Sequence, residues 1–339
     1  MACLATFLEG GRESGSRFAH NMEFKASLLI YSIFVLSVTF LLVPLMRFVG
    51  LKYSLYDQPG SDPLKIHRGN VPYLGGVAMA VALVLGTIYL TRAVLVDNLQ
   101  LWAIVCCSSC ALMFGLWDDM KWKSFLKTPA IKFHTQFLLV AIIAMLLWAS
   151  GVCYGIFYNV SISYLFGVIY ILGAMNALNM QDGMDGLAAG IAGISGAGFS
   201  VLGVIQNSAT LVVLGLGIAC CSFGFLRYNL PPARIFMGDS GSYFLGALIG
   251  SALILASSRA HSVSHFVVPL MIFGLPVADA GFAIIRRLSR HGSPFYGDRA
   301  HYYDKLLKNG MSHNKVLIVS YSIQTCLAAI GIWIMAAKG

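Results

Sequence analysis

The sequence predicts an all-α, polytopic integral membrane protein with about ten transmembrane helices, on three observations. Of 339 residues, 58% are hydrophobic and 11% charged, with a mean hydropathy of +0.77, more apolar surface than a soluble core of this length can bury. Apolar stretches recur at the length that crosses a bilayer, about 20 residues. The basic residues collect in alternate loops between those stretches. Helices follow rather than strands, because an open strand leaves its backbone groups unpaired in lipid.

The expected spans, in order, are residues 26–46, 71–91, 99–117, 133–153 and 160–178, then 187–205, 209–226, 241–258, 264–285 and 316–337. Spans 187–205 and 241–258 are rich in glycine, and small residues let neighbouring backbones pack closely in a membrane. Residues 1–25 are expected to be an unstructured leader ahead of a single domain at 26–339, with Met22 a second candidate start. The leader lacks the charged, apolar and cleavage regions of a signal peptide. Seven of the eight cysteines fall inside apolar segments, where a thiol serves as a small hydrophobe.

The net charge of +9 does not point to nucleic acid, because of where the charges lie. Segments 47–73, 117–132, 227–240 and 286–315 hold 17 of the 23 Lys and Arg, which by the positive-inside rule puts these loops in the cytoplasm and both termini outside. The acids share that side. After Glu23 the remaining eleven acids are all aspartates, and only Asp97 falls on the other face. Carboxylates beside apolar spans are costly and suggest function. Helix capping accounts for Asp57, Asp62 and Asp304, but Asp118, Asp119, Asp182, Asp185 and Asp239 sit too close to apolar helix ends for capping to explain all five.

In GLWDDMKWKS the neighbouring carboxylates of Asp118 and Asp119 need a nearby cation or a shared proton to coexist. In NALNMQDGMDG, Asn176, Asn179, Asp182 and Asp185 recur at steps of three, which on a helix or 3₁₀ turn aligns oxygen-bearing side chains on one face. Gly183 and Gly186 would end the helix and let the backbone approach a ligand. An oxygen-only set favours Mg²⁺ or Mn²⁺ over zinc. KIHRGNVPYLGG adds Lys65, His67 and Arg68, and the loop from 286 to 315 adds seven basic residues, with His291 and His301, as a receptor for phosphates. Asp279 reads equally as a ligand or as a cap. Lys132 could meet a lipid phosphate or simply snorkel, and His134 reads as a packed or interfacial residue.

RIFMGDSGSYFLG contains GDSG, which could present Ser240 as a nucleophile, but no histidine base and acid partner stand near it in the sequence. Asp239 at the start of a span is the stronger reading, with Gly238 and Gly241 leaving room for a phosphate ligand. Aspartates able to hold Mg²⁺ beside Arg, Lys and His suit phosphoryl transfer, where positioning and charge neutralisation supply most of the catalysis. A Mg²⁺-dependent membrane prenyltransferase and a non-catalytic transporter are the alternatives from the same residues. A transporter is disfavoured by acids at helix ends rather than at the midplane.

Six motifs in order, DQPGSDPLKIHRGNVPYLGG, GLWDD, IKFHTQF, NALNMQDGMDGLAAG, RIFMGDSGSYFLG and SPFYGDRAH, resemble those of the polyprenyl-phosphate N-acetylhexosamine-1-phosphate transferases, glycosyltransferase family 4. The resemblance covers Asp57 to Tyr303. It implies a multi-pass enzyme of the bacterial inner membrane with a cytoplasmic active site. That enzyme transfers N-acetylhexosamine 1-phosphate, commonly GlcNAc 1-phosphate, from a UDP-N-acetylhexosamine to undecaprenyl or another polyprenyl phosphate. UMP is released, and a lipid-linked surface glycan such as O-antigen is begun. The resemblance implies Asp239 as the Mg²⁺ ligand with Asn179 beside it, Asp118 and Asp119 on the lipid phosphate, Asp182 and Asp185 on the nucleotide sugar, and Arg299 and His301 on the pyrophosphate. Lys65, His67 and Asn176 complete the expected substrate contacts. Membrane lipid is the expected surroundings and a homodimer is left open. One departure stands out: where relatives carry His-x-His-His, this chain reads His301, Tyr302, Tyr303, Asp304. Tyr303 and Asp304 are candidates to supply hydrogen bonds in place of the missing histidines.

Overall fold

A computed structural model describes residues 2–57, 69–93, 98–122, 129–152, 160–258, 263–291 and 299–337. The described residues are all-α apart from one hairpin with strands of two residues each. The helices are α1 (Ala2–Lys52), α2 (Gly75–Ala93), α3 (Asn98–Trp117), α4 (Pro129–Ala149), α5 (Val160–Gln181), α6 (Leu187–Ile205) and α7 (Ala209–Asn229). They continue with α8 (Gly238–Ser257), α9 (Val263–Ile272), α10 (Gly274–His291), α11 (Tyr302–Lys308) and α12 (His313–Ala336). α1 begins at Ala2 and so takes in the segment expected as a leader, but the part long and apolar enough to cross a membrane is Lys25–Lys52.

Among the described residues nine helices meet that requirement, and α9 with α10 forms a tenth unit broken by a 90° bend. All ten expected spans therefore correspond to helices, and among the described residues only the ninth is split into a bent pair. At the bend, Gln324 of α12 accepts from Leu275 N at 3.1 Å and donates to the carbonyl of Ile272. A side chain thus satisfies backbone groups freed by the break, as helix interruption in lipid demands.

α8 is the axis of the bundle. Its apolar window is wholly buried, against 22% for α1 and 28% each for α4 and α12, and it packs on α2, α3, α5, α6, α7 and α9. The glycines that weaken its hydropathy explain its position. A Cβ at Gly246 would lie 2.5 Å from Met175 Cα, and one at Gly250 2.7 Å from Ile171 Cα, so α8 and α5 touch backbone to backbone.

The hairpin pairs β1 (Tyr56–Asp57) antiparallel with β2 (Val71–Pro72), Tyr56 opposite Pro72. Phe236 N donates to Pro72 O at 2.7 Å, while Gly75 N and Gly76 N donate to Phe236 O and Met237 O at 3.0 and 3.2 Å. The start of α2 is thereby fixed to the segment that leads into α8.

Candidate active site

The site forms where the C-terminal ends of α3 and α5 meet the N-terminal ends of α4 and α8. Asp118 and Asp119 occupy a single π-helical turn, Asp118–Trp122, that follows α3. The two adjacent carboxylates point to different partners, as consecutive side chains on a helical turn must. Asp119 accepts from Asp239 N through one oxygen and from Ser240 N through the other, both at 3.1 Å. It caps α8, meeting two of that helix's unpaired N–H groups and its positive end. Asp118, 4% exposed, pairs with Lys132 of α4. The cation that two adjacent acids require is thus a lysine, and Lys132 is the residue sequence reasoning undervalued. Snorkelling explained it equally well while its partners were unknown.

Lys132 Nζ also lies 3.0 Å from Asp239 Oδ2, so the three charges alternate as Asp118, Lys132, Asp239. The side chains of Lys132 and Asp239 are 31% and 29% exposed, which makes them the accessible side of the cluster. Asn179 Nδ2 donates to Asp239 Oδ1 at 2.8 Å and to Ser242 Oγ at 3.0 Å. Asn179 therefore sits as a hydrogen-bond donor to Asp239, whereas a second metal ligand would have to offer its oxygen.

Gly238 and Gly241 do not leave a space for phosphate. Gly238 has φ +73°, and a Cβ there would lie 2.6 Å from Asp119 Oδ2; one at Gly241 would lie 2.6 Å from Met237 Cβ. The room is used by the protein itself. Ser240 is fully buried and its hydroxyl donates to Met237 O at 3.2 Å, which removes it as a nucleophile. Ser242 donates likewise to Asp239 O, so both serines belong to the helix start.

The four residues at steps of three do not share one helix face. α5 ends at Gln181, so Asn176 and Asn179 are helical while Asp182 and Asp185 lie in the following turn. Asn176 is turned back on its own helix, donating to Leu172 O at 2.8 Å. Asp185 accepts from Ala233 N at 2.9 Å, holding the segment before α8. Burial, and then the charges of Asp239, Asp119 and Asp185, push the Asp182 carboxyl well above the usual carboxylate range. Its place is therefore within the same field of negative charge. Gly183 faces Tyr303, whose hydroxyl would lie 2.2 Å from a Cβ there, so the close approach is by a side chain of the chain itself.

That tyrosine also answers the missing histidines. Tyr303 donates to Met180 O at 3.0 Å, and Asp304 Oδ2 accepts from His301 N at 3.3 Å in a capping box at α11. Both hold the loop rather than face a ligand. Arg299 is half-buried at the start of this loop, and its carbonyl accepts from Lys308 Nζ at 3.1 Å. His134 is exposed beside Phe133, in keeping with an interfacial residue. Lys65 and His67 lie outside the described residues.

The geometry bears on a divalent cation. Among the described residues no three His, Cys, Asp or Glu side chains converge on one ion. Mg²⁺ does not need such a cage, since one or two carboxylates with substrate phosphates and water complete its shell. Asp239, with Asp118 close by across Lys132, fits that mode.

Comparison with known proteins agrees with the family that the motifs resemble. The family model described as glycosyl transferase family 4 matches residues 101–257. The phospho-N-acetylmuramoyl-pentapeptide-transferase of Phenylobacterium zucineum is 30% identical over 307 residues, 79% of this chain and 80% of that protein. This chain belongs to glycosyl transferase family 4. Two further relatives match at similar length. The probable undecaprenyl-phosphate N-acetylglucosaminyl 1-phosphate transferase of Bacillus subtilis is 28% identical over 302 residues, 86% of this chain and 80% of that protein. The undecaprenyl-phosphate alpha-N-acetylglucosaminyl 1-phosphate transferase of Salmonella typhi is 26% identical over 311 residues, 89% and 82%. The family 4 match to residues 101–257 takes in Asp118, Asp119, Lys132, Asn179, Asp182 and Asp239.

Proposed function

We propose that this chain transfers an N-acetylhexosamine 1-phosphate, GlcNAc 1-phosphate foremost, from a UDP-sugar to undecaprenyl or another polyprenyl phosphate, with release of UMP. The reaction is assigned to the cytoplasmic face of the bacterial inner membrane, and its product would begin a lipid-linked surface glycan. The observation that carries the reading is the alternating cluster Asp118, Lys132, Asp239 at the inner ends of three spans, open to water through Lys132 and Asp239. The names of the Bacillus subtilis and Salmonella typhi relatives support the same transfer.

A phosphate monoester has its second pKa near 6, so the lipid phosphate arrives largely as a dianion and needs little help from a base. One of its oxygens attacks the phosphorus that carries the sugar. A new P–O bond forms, and the bond from that phosphorus to the bridging oxygen breaks. UMP departs with that oxygen and its electron pair. Lys132 neutralises phosphate charge, and Asp118 orients the nucleophile. Asp119 acts one step removed, because both its oxygens hold the start of α8 and with it Asp239. Bound between Asp239 and the substrate phosphates, Mg²⁺ or Mn²⁺ would supply further charge neutralisation.

The test incubates membranes containing the protein with UDP-GlcNAc, other UDP-N-acetylhexosamines, Mg²⁺ and undecaprenyl phosphate. The expected lipid product has gained one sugar phosphate by mass, with one UMP released for each. Label entering lipid from an isoprenyl pyrophosphate instead would assign a prenyltransferase, and solute uptake without product a transporter. A sugar-phosphate adduct trapped on Asp118 without lipid would overturn the single-step route.

A further inference from the structure

Asp279 is 6% exposed and belongs to α10, beyond the bend. Three donors from two other parts of the chain converge on it. Gln181 Nε2 at 2.9 Å and His301 Nδ1 at 2.7 Å meet Oδ2, and the backbone N–H of Tyr302 meets Oδ1 at 3.2 Å. The Tyr302 contact caps the start of α11 beside Asp304, which serves the His301 main chain, but capping does not account for the contacts to Gln181 and the His301 ring.

His301 is 5% exposed and held on more than one side. Its ring lies parallel to that of Tyr303, 5.6 Å between centroids and 5° between planes. Tyr303 in turn is fixed to Met180 O. The imidazole therefore rests on the 180–183 turn that carries Asp182. A carboxylate on one ring nitrogen decides which nitrogen carries the first proton and how the ring is aimed. With Nδ1–H given to Asp279, Nε2 is the other polar atom of the ring. In the imidazolium form Nε2–H donates to a phosphoryl oxygen, with Asp279 as the adjacent counter-charge.

We propose that Asp279 is a positioning residue that takes the Nδ1 proton of His301, with Gln181 bracing the carboxylate, so that Nε2 faces the diphosphate of the sugar donor. The identity of that ligand rests on the proposed function; the Asp279–His301 pairing does not. Loss of an outer partner of this kind costs about 10–100-fold in activity.

The test uses the full-length protein in lipid nanodiscs, as wild type, Asp279→Asn, Asp279→Ala, His301→Gln and the Asp279→Asn/His301→Gln double variant. With ¹⁵N-labelled histidine, the signal absent from His301→Gln should report Nδ1–H in the wild type and lose that tautomer in Asp279→Ala. With UDP-GlcNAc as the probe, Asp279→Asn should lower kcat/KM for the nucleotide sugar about 10–100-fold while leaving KM for the lipid phosphate unchanged. In the His301→Gln background the same change should cost nothing further. Multiplying losses in the double variant, or an unchanged tautomer in Asp279→Ala, would overturn the proposal. Should the wild type transfer no sugar phosphate, the functional reading fails while the histidine spectrum still decides the pairing.

Discussion

Replacing Lys132 with methionine keeps the length of the side chain and removes its charge. It leaves Asp118, 4% exposed, without the cation beside it. Breaking a fully buried ion pair by deleting one partner costs about 3–5 kcal/mol, whereas exposed pairs are worth about 0–1 kcal/mol. With Asp118 buried and the Lys132 side chain 31% exposed, the pair falls between these limits, at about 2 kcal/mol. The assay is unfolding in mild detergent without divalent ions, run as a cycle of wild type, Lys132→Met, Asp118→Asn and the double variant. If the cost comes from a stranded carboxylate, the double variant is more stable than Lys132→Met alone, and the coupling is about 2 kcal/mol. Additive losses would show that Lys132 and Asp118 are not coupled, and the ion-pair account of that contact would fail.

Other outcomes follow from the same geometry. Asp239→Asn should abolish transfer while Ser240→Ala spares most of it; a dead alanine variant would return the motif to its serine. Asp119→Ala should destabilise the fold by about 1–2 kcal/mol through loss of a helix cap, seen as a lower unfolding midpoint. Gly238→Ala should cost about 2–5 kcal/mol, from a left-handed backbone and from crowding against Asp119 and Tyr73, measured the same way. The Asp182 carboxyl is raised in the folded state, so the native protein binds its proton more tightly than the unfolded chain. Without divalent ions, wild-type stability should therefore fall relative to Asp182→Asn as pH rises from about 4 toward the raised value, and parallel pH curves would refute the shift.

The spans were legible because apolar length is a local property that every window reports. The glycine-rich spans form α6 and α8, whose apolar windows are 67% and 100% buried, where small residues meet other parts of the chain and not lipid. The bend between α9 and α10 was not legible, since the residue that stabilises it, Gln324, stands 49 positions from Leu275. Within the site, Asp118, Asp119, Asp182 and Asp239 announced themselves as acids at apolar ends, and all four meet in one electrostatic field. Their division of labour was hidden. Asp119 caps α8 while Asp118 meets Lys132, and these partners stand far along the sequence, where spacing does not reveal them. Glycine signals were read as space for a ligand at Gly183, Gly238 and Gly241, yet each space is filled by another part of the chain.

The charged cluster joins two helices with different surroundings. Asp239 is carried by α8, which is sheathed by protein along its apolar length, while Lys132 is carried by α4, most of whose apolar window faces outward. A bilayer thicker or thinner than the apolar belt is relieved by tilting the helices that touch lipid. Such tilt would reach α4 directly and α8 hardly at all, so the Lys132–Asp239 contact is where membrane thickness can be felt by the chemistry. Activity measured across bilayers of graded acyl length is then expected to track that single distance, with the anion fixed and the cation moving.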